Sequence, residues 1–162
     1  MQDVVAEDFR KAMRNYPQGV AIVACMNEGK PYGMTVSSFI SVSMEPPLLL
    51  VSLMKGDYIH RLLSHAEHFS VNMLAYNQSE LSIRFSQIDN IERRFDGVKY
   101  SIDVRGVPII DDCIASIVCR RWKNYDIADH TLIIGKVVKI NTLRDANPLV
   151  YFRKKYTTVK DY

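Results

Sequence analysis

Apolar segments follow one another along this chain with few regular helices between them. That succession, more than anything else, limits what it can fold into. Val20–Met26, Leu48–Leu53, Phe69–Leu74, Ile114–Trp122 and Thr131–Ile140 read as strands, with Leu149–Phe152 as a further candidate. Tyr32–Met44 reads as one long strand or as two joined by a bend. Asn27-Glu28-Gly29 has the composition of a hairpin turn, and Glu45-Pro46-Pro47 interrupts a ladder because proline donates no N–H. Three helices are expected. Residues 4–15 carry Val5, Phe9, Met13 and Tyr16 at helical spacing between an Asp3 N-cap and Pro17. A second helix runs from Asp57, its cap, to about His65, with Ile59, Leu62 and Leu63 inward. A third runs from Asn77 through Phe85, with Glu80 completing its cap. Residues 86–106 read as loop with short structured pieces. Parallel strands need a crossover, usually a helix, between them. This order therefore points to an antiparallel barrel or sandwich: mainly β, with a few flanking helices, as one domain over residues 1–162.

Composition narrows the function classes. The chain has 162 residues, 48% of them hydrophobic, which is ample for a core. The longest apolar stretch, Pro46–Val51, is far short of the ~18 residues of a membrane span. The opening Met1-Gln2-Asp3-Val4-Val5-Ala6-Glu7-Asp8 is acidic where an export signal is basic, so a cytoplasmic location with no membrane partner is expected. Cys25, Cys113 and Cys119 are odd in number and lack CxxC spacing, and alternation puts Cys113, Ala115, Ile117 and Cys119 on one strand face. They read as core, with no metal site. A net charge of +3 with one basic cluster, Arg153-Lys154-Lys155, does not suggest nucleic acid but suffices for one anionic cofactor. No GxGxxG or GxxxxGK[ST] follows a strand, so Rossmann and P-loop nucleotide sites are absent by motif.

The informative stretch is Gly33-Met34-Thr35-Val36-Ser37-Ser38-Phe39-Ile40-Ser41-Val42-Ser43. If extended, it places Thr35, Ser37, Phe39, Ser41 and Ser43 on one face and Val36, Ser38, Ile40, Val42 and Met44 on the other. The hydroxyl row either donates to a cofactor's phosphate or polyol chain, or simply faces solvent. No hydrolytic constellation emerges. His60, His65 and His68 fall on or after the second helix and read as surface residues, and neither GxSxG nor HExxH occurs. His130, after Asp126-Ile127-Ala128-Asp129, reads as a loop histidine that either lines a site or bonds its own turn.

Taken in order, the motifs resemble the flavin reductase-like family, the small reductase partners of two-component flavin monooxygenases. The resemblance is carried by Phe9-Arg10, Ala12-Met13, Tyr16-Pro17-Gln18-Gly19-Val20, Gly33–Phe39, Ser41-Val42-Ser43, Pro46-Pro47-Leu48 and Val51-Ser52-Leu53. It continues in Phe69-Ser70-Val71-Asn72-Met73-Leu74, Gln78, Leu81-Ser82, Arg84-Phe85, Asp129-His130, Ile134-Gly135-Lys136-Val137, Pro148-Leu149-Val150-Tyr151 and Tyr156. Two departures stand out: Ala128 where the family usually has Gly before Asp-His, and Asp57-Tyr58 where many members have a small polar pair. Within the family, the chain is most similar to reductase components of 4-hydroxyphenylacetate 3-monooxygenases and similar aromatic hydroxylases.

That resemblance implies an FMN-binding split β-barrel of antiparallel Greek-key type. It implies a homodimer with FMN or FAD near the interface, a folded NADH or NADPH stacked on the flavin, and a partner monooxygenase receiving reduced flavin. Met34, Thr35, Val36 and Ser37 are expected along the flavin, with backbone and hydroxyl contacts. Ser38, Ser52, Leu53 and Met54 are expected at the ring edge or the ribityl–phosphate arm. Ser82, Arg84 and Phe85 should close one side, His130 and Tyr156 should meet the nicotinamide, and Arg153 and Lys154 a phosphate of either ligand. No protein acid or nucleophile is called for, because hydride transfer is the cofactors' own chemistry. A non-enzymatic FMN carrier or sensor on the same barrel is the alternative.

Overall fold

The computed structural model describes residues 5–56 and 58–160. Its strands are β1 (Gln18–Gly19), β2 (Ala21–Asn27), β3 (Lys30–Val36), β4 (Phe39–Met44), β5 (Pro47–Met54), β6 (His68–Met73), β7 (Tyr100–Ile102), β8 (Pro108–Ile110), β9 (Ala115–Ile127), β10 (His130–Leu143), β11 (Val150–Phe152) and β12 (Lys155–Thr157). The helices are α1 (Ala6–Met13), α2 (Tyr58–His65) and α3 (Ser79–Ser86).

Seven strands form one sheet in the order β3-β2-β6-β9-β10-β5-β4, and every pairing is antiparallel. Its two edges, β3 and β4, are consecutive in the chain, with only Ser37 and Ser38 between them. Three Cα steps reach ~11 Å at most. The opposite edges must therefore meet, and the sheet curls into a barrel whose split lies at the β3–β4 corner. There the Ser52 N–H donates to the Ser38 carbonyl at 2.9 Å. The chain thus adopts the split β-barrel expected of it, with a small β1-β11-β12 sheet and a β7–β8 hairpin alongside.

Alternation builds the interior. On β5, Leu49, Val51 and Leu53 are buried while Leu48, Leu50, Ser52 and Met54 face outward. Leu49, Val51 and Leu53 join Val23, Val71, Phe69, Ile59 and Leu63 in the barrel core. Gly135 belongs there for space: a Cβ would sit 2.6 Å from Phe69 Cζ and 2.7 Å from Cys119 Cβ. A second cluster under α3 holds Ile22, Leu74, Phe85, Phe95 and Leu149. Between the two, Asn72 is fully buried; it donates to the Ile22 carbonyl and accepts from the Ile110 N–H at 3.0 Å. It thereby ties β6 to β8. Cys25, Cys113 and Cys119 are free and buried, and burial pushes each thiol up to about 12, as suits core residues.

Several expectations are corrected. Tyr32–Met44 is two strands. The last two long strands run to Ile127 and begin at His130, so residues expected as loop form a hairpin around Ala128-Asp129. Cross-strand bonding overrode the polar composition of residues 123–127. The third helix begins at Ser79 after a 3₁₀ turn, Tyr76–Gln78, and Gln78 Oε1 accepts from the Ala75 N–H in place of the expected Asn77–Glu80 cap. Residues of α1 pack none of their apolar face into the core: Phe9 and Met13 are exposed. The expected caps at Asp3 and Asp57 lie outside the described residues. Among the described residues, no helix is long and apolar enough to cross a membrane.

Candidate functional site

The split seats the residues that the motifs singled out. Thr35, near the end of β3, donates from Oγ1 to the Ser82 carbonyl of α3 at 2.7 Å. Ser37 Oγ donates to Gln18 Oε1 at 3.2 Å, and Ser38 Oγ to the Ser52 carbonyl at 2.5 Å. Thr35 and Ser37 of the expected hydroxyl row are thus bonded within the protein, whereas Ser41 on β4 is exposed. The hydroxyls of Thr35, Ser37 and Ser38 each spend their proton inside the protein and keep acceptor capacity. The backbone around the corner is what they hold in place. Met34 is half-buried against the core, and Val36 is buried.

Ser82 is fully buried, and its Oγ lies 2.8 Å from the Tyr156 hydroxyl. Tyr156 in turn packs on Tyr151 with ring centroids 5.5 Å apart. Phe85 is fully buried edge-on to Phe95, so it supports the site from beneath and presents no ligand-facing surface. The side chains of Leu53 and Ser82 also point inward, as does that of Val36, for which a backbone contact was expected. Arg84 is exposed and donates to the Asp96 carbonyl at 2.8 Å. A groove of about 430 Å³ beside α3 is lined by Arg84 but by none of the other expected residues.

On the outer sheet face, direct cross-strand partners share a side. Met54 pairs with His130, which pairs with Ile127; Ser52 pairs with Leu132, then Tyr125; Ile40 pairs with Leu50, then Ile134. These rows form an apolar shelf with Met54 59% exposed, Ile40 58% and Ile127 54%. His130 stands at its end as the first residue of β10, not in a loop. Its Nδ1 is 2.8 Å from Asp129 Oδ1, a contact that holds the Asp129 carboxyl below its usual range. Lys55, which the motifs did not pick out, fastens this hairpin. Its N–H donates to the Asp129 carbonyl at 2.8 Å, its Nζ donates to the Ala128 carbonyl at 3.1 Å, and it pairs with Asp126 at 3.7 Å. The Thr131 hydroxyl on Asp126 and nearby Lys55 lower that carboxyl too. His60, expected at the surface, is part-buried 2.9 Å from the Thr131 hydroxyl. Gln18 was within a quoted motif; its role becomes visible only once β1 lies beside the seam.

At the far side, Arg153 and Lys154 form the two-residue turn between β11 and β12, with φ of +49° and +64°. The structure thus brings Thr35, Ser37, Ser38 and Ser52 together at the split, His130 and Met54 on the shelf, and Tyr156 behind Thr35. Arg153 and Lys154 sit one aromatic pair away. The shelf offers a mostly apolar contact surface, and the basic turn offers positive charge.

Residues 13–160 match the flavin reductase like domain family. The chain is 38% identical over 146 residues to the FMN reductase (NADH) SmoA of Agrobacterium fabrum, covering 90% of this chain and 82% of that one. It is 36% identical to the reductase component of the FADH(2)-dependent resorcinol hydroxylase of Rhizobium sp., covering 94% and 86%. Among solved structures it is similar to flavin reductase HpaC complexed with NADP+, at a TM-score of 0.88 and 33% identity over 96% of this chain and 98% of that one. With the split barrel and its ordered motifs in place, the chain belongs to the flavin reductase-like domain family.

Proposed function

We propose that this protein is an NAD(P)H:flavin oxidoreductase that reduces FMN or FAD and supplies the reduced flavin to a partner monooxygenase, of the 4-hydroxyphenylacetate 3-monooxygenase type. The observation that carries this reading is the juxtaposition of the hydroxyl-fastened corner Thr35–Ser38 with the apolar shelf ending at His130. The named relatives, an NADH-dependent FMN reductase and a hydroxylase reductase component, support it.

When bound, the nicotinamide supplies a hydride that the flavin accepts, and the work left to the protein is position and charge. The corner holds backbone donors and acceptors of residues 35–38 against one edge of the ring. Met54 and its shelf neighbours exclude water from one face. His130, oriented by Asp129, offers Nε2 to the nicotinamide's polar substituents. Arg153 and Lys154 neutralise phosphate. Corner and shelf both lie on open surface of a single chain, so a second copy is assigned to close over them as a homodimer. An apolar shelf of this kind is what a partner subunit covers.

The test is anaerobic mixing of protein, FMN and NADH, with light scattering on the same sample. Loss of the flavin's visible absorbance by a dimer is expected. Flavin that binds but stays oxidised would make the protein a carrier, and full activity in a monomer would remove the second copy from the site.

A further inference from the structure

Between α1 and the β11–β12 turn lies a notch of about 180 Å³ in which four cationic side chains meet: Arg10, Arg14, Arg153 and Lys154. No acidic residue lines it. Among the described residues none of the four forms an ion pair. The acidic side chains of α1 are turned to Lys11, which pairs with Glu7 and Asp8. Arg10, in the last turn of α1, and Arg14, its C-cap, are one turn apart, a spacing at which like charges repel. Arg153 and Lys154 hold left-handed backbone in a two-residue hairpin turn, where glycine and asparagine are the usual occupants. The C-terminal end of α1, where Arg10 and Arg14 sit, itself favours cations, and Arg153 Nε donates to Asn15 Oδ1 at 3.0 Å. The left-handed turn at Arg153 and Lys154 is the local cost, and what the four share is charge lining one notch. Its remaining walls are Met13, Gln18 and two aromatic residues, Tyr16, with its ring exposed, and Tyr151.

The notch is joined to the site described above. Gln18 lines it and accepts the Ser37 hydroxyl's hydrogen bond, and Tyr151 packs on Tyr156, which reaches Ser82. Cations alone suit any phosphate. Cations beside exposed aromatic faces suit a phosphate attached to a base, held by charge-assisted bonds and ring stacking. We propose that this notch is a subsite for the adenosine-phosphate arm of a dinucleotide, with Arg10 and Arg14 as its specificity-determining cations. The proposal rests on the flavin-reductase reading for its ligand class. Two ligands of that class carry such an arm, FAD and NAD(P)H, whereas FMN carries none.

The test uses ADP as probe, titrated calorimetrically against the wild type, Arg10→Gln/Arg14→Gln and Arg10→Lys/Arg14→Lys. Glutamine keeps the helix propensity of α1 and lysine keeps its charge. Expected are ADP binding by the wild type that weakens with salt, a loss of about tenfold or more in the glutamine pair, and partial recovery in the lysine pair. Two further measurements assign the source. FAD affinity falling more than FMN affinity assigns the arm to the flavin. A raised KM for NADH or NADPH with FAD affinity unchanged assigns it to the nicotinamide nucleotide. ADP that does not bind, or binds wild type and glutamine pair alike, overturns the proposal whatever the flavins do. Flavin binding to the wild type reports on the functional reading separately: absence of both FMN and FAD binding overturns that reading, and the ADP result is then judged alone.

Discussion

The Thr35 hydroxyl donates to the Ser82 carbonyl at 2.7 Å, joining an edge strand of the barrel to a helix 47 residues further along. Ser82 in turn meets Tyr156, so three distant segments converge behind the corner where the sheet splits. Thr35→Val keeps the shape and removes the donor, leaving a fully buried residue's carbonyl short of a partner. A loss of about 1–3 kcal/mol is expected in urea unfolding. Flavin affinity, read by fluorescence quenching, should fall with it because the corner loosens. A variant as stable as the wild type with unchanged affinity would remove Thr35 from the account.

Ala128 carries a φ of +47° in the turn before Asp129-His130. A Cβ in left-handed backbone costs roughly 1–2 kcal/mol, partly offset by the greater unfolded-state freedom of glycine. Ala128→Gly is therefore expected to stabilise by about 1 kcal/mol, raising Tm by about 2–4 °C in a thermal melt. A lowered Tm would show that the turn is not left-handed there.

Gly135→Ala has the opposite sign. The new Cβ meets the buried Phe69 ring and the Cys119 Cβ, neither of which is a flexible chain end. Overpacking of this kind costs about 1–3 kcal/mol, measurable as a lower urea midpoint at unchanged slope.

Asp103 gives the fold an acid-sensitive point. Burial alone would raise its carboxyl, but hydrogen bonds from Lys139, the Arg105 N–H and Asn141 outweigh it and bring it down to about 2. A carboxylate held below its unfolded value near 4 stabilises at higher pH, and that contribution is lost as pH falls from about 4 towards 2. The loss is about 2 kcal/mol by linkage, on the order of the shift itself. Urea unfolding across that interval should show a fall that is reduced in Asp103→Asn. Identical pH profiles would contradict the assignment.

Much of this was legible from the chain, and the failures have physical causes. Alternation in Leu48–Leu53 and Phe69–Leu74 found strands that the barrel buries, because a fully covered strand leaves its pattern in the residues themselves. The closing of β3 onto β4 could not be read. It depends on strand order, which no local pattern carries. The β9–β10 hairpin was cut short after Trp122 because Lys123, Asn124 and Asp126 are polar where the sheet runs past the core into solvent. Motif order put Thr35, Ser38 and Ser52 on the flavin side, and the structure gathers these three at the split while His130 stands apart beside Met54. Motif order also assigned ligand-facing roles to Leu53, Ser82 and Phe85, whose side chains turn inward, because a motif marks a segment and not the direction of its side chains. Lys55 carried no motif at all, and only the hairpin it fastens reveals it.

His130→Ala separates the two halves of the site. His130 borders the shelf end, away from the Thr35–Ser82 contact, so flavin affinity should stay near wild type. The reduction rate at low NADH should fall about ten- to hundredfold, equivalent to about 1.4–2.8 kcal/mol. A collapse of flavin affinity with an unchanged rate for the flavin still bound would move His130 to the flavin side.

The most direct measurement of the central claim is stopped-flow mixing of the protein with FMN or FAD against NADH or NADPH, without oxygen and without any other protein. The account predicts that the flavin loses its colour at a rate that saturates with nicotinamide nucleotide, one nucleotide consumed per flavin reduced. Flavin that binds the protein yet keeps its colour at every nucleotide concentration would contradict it.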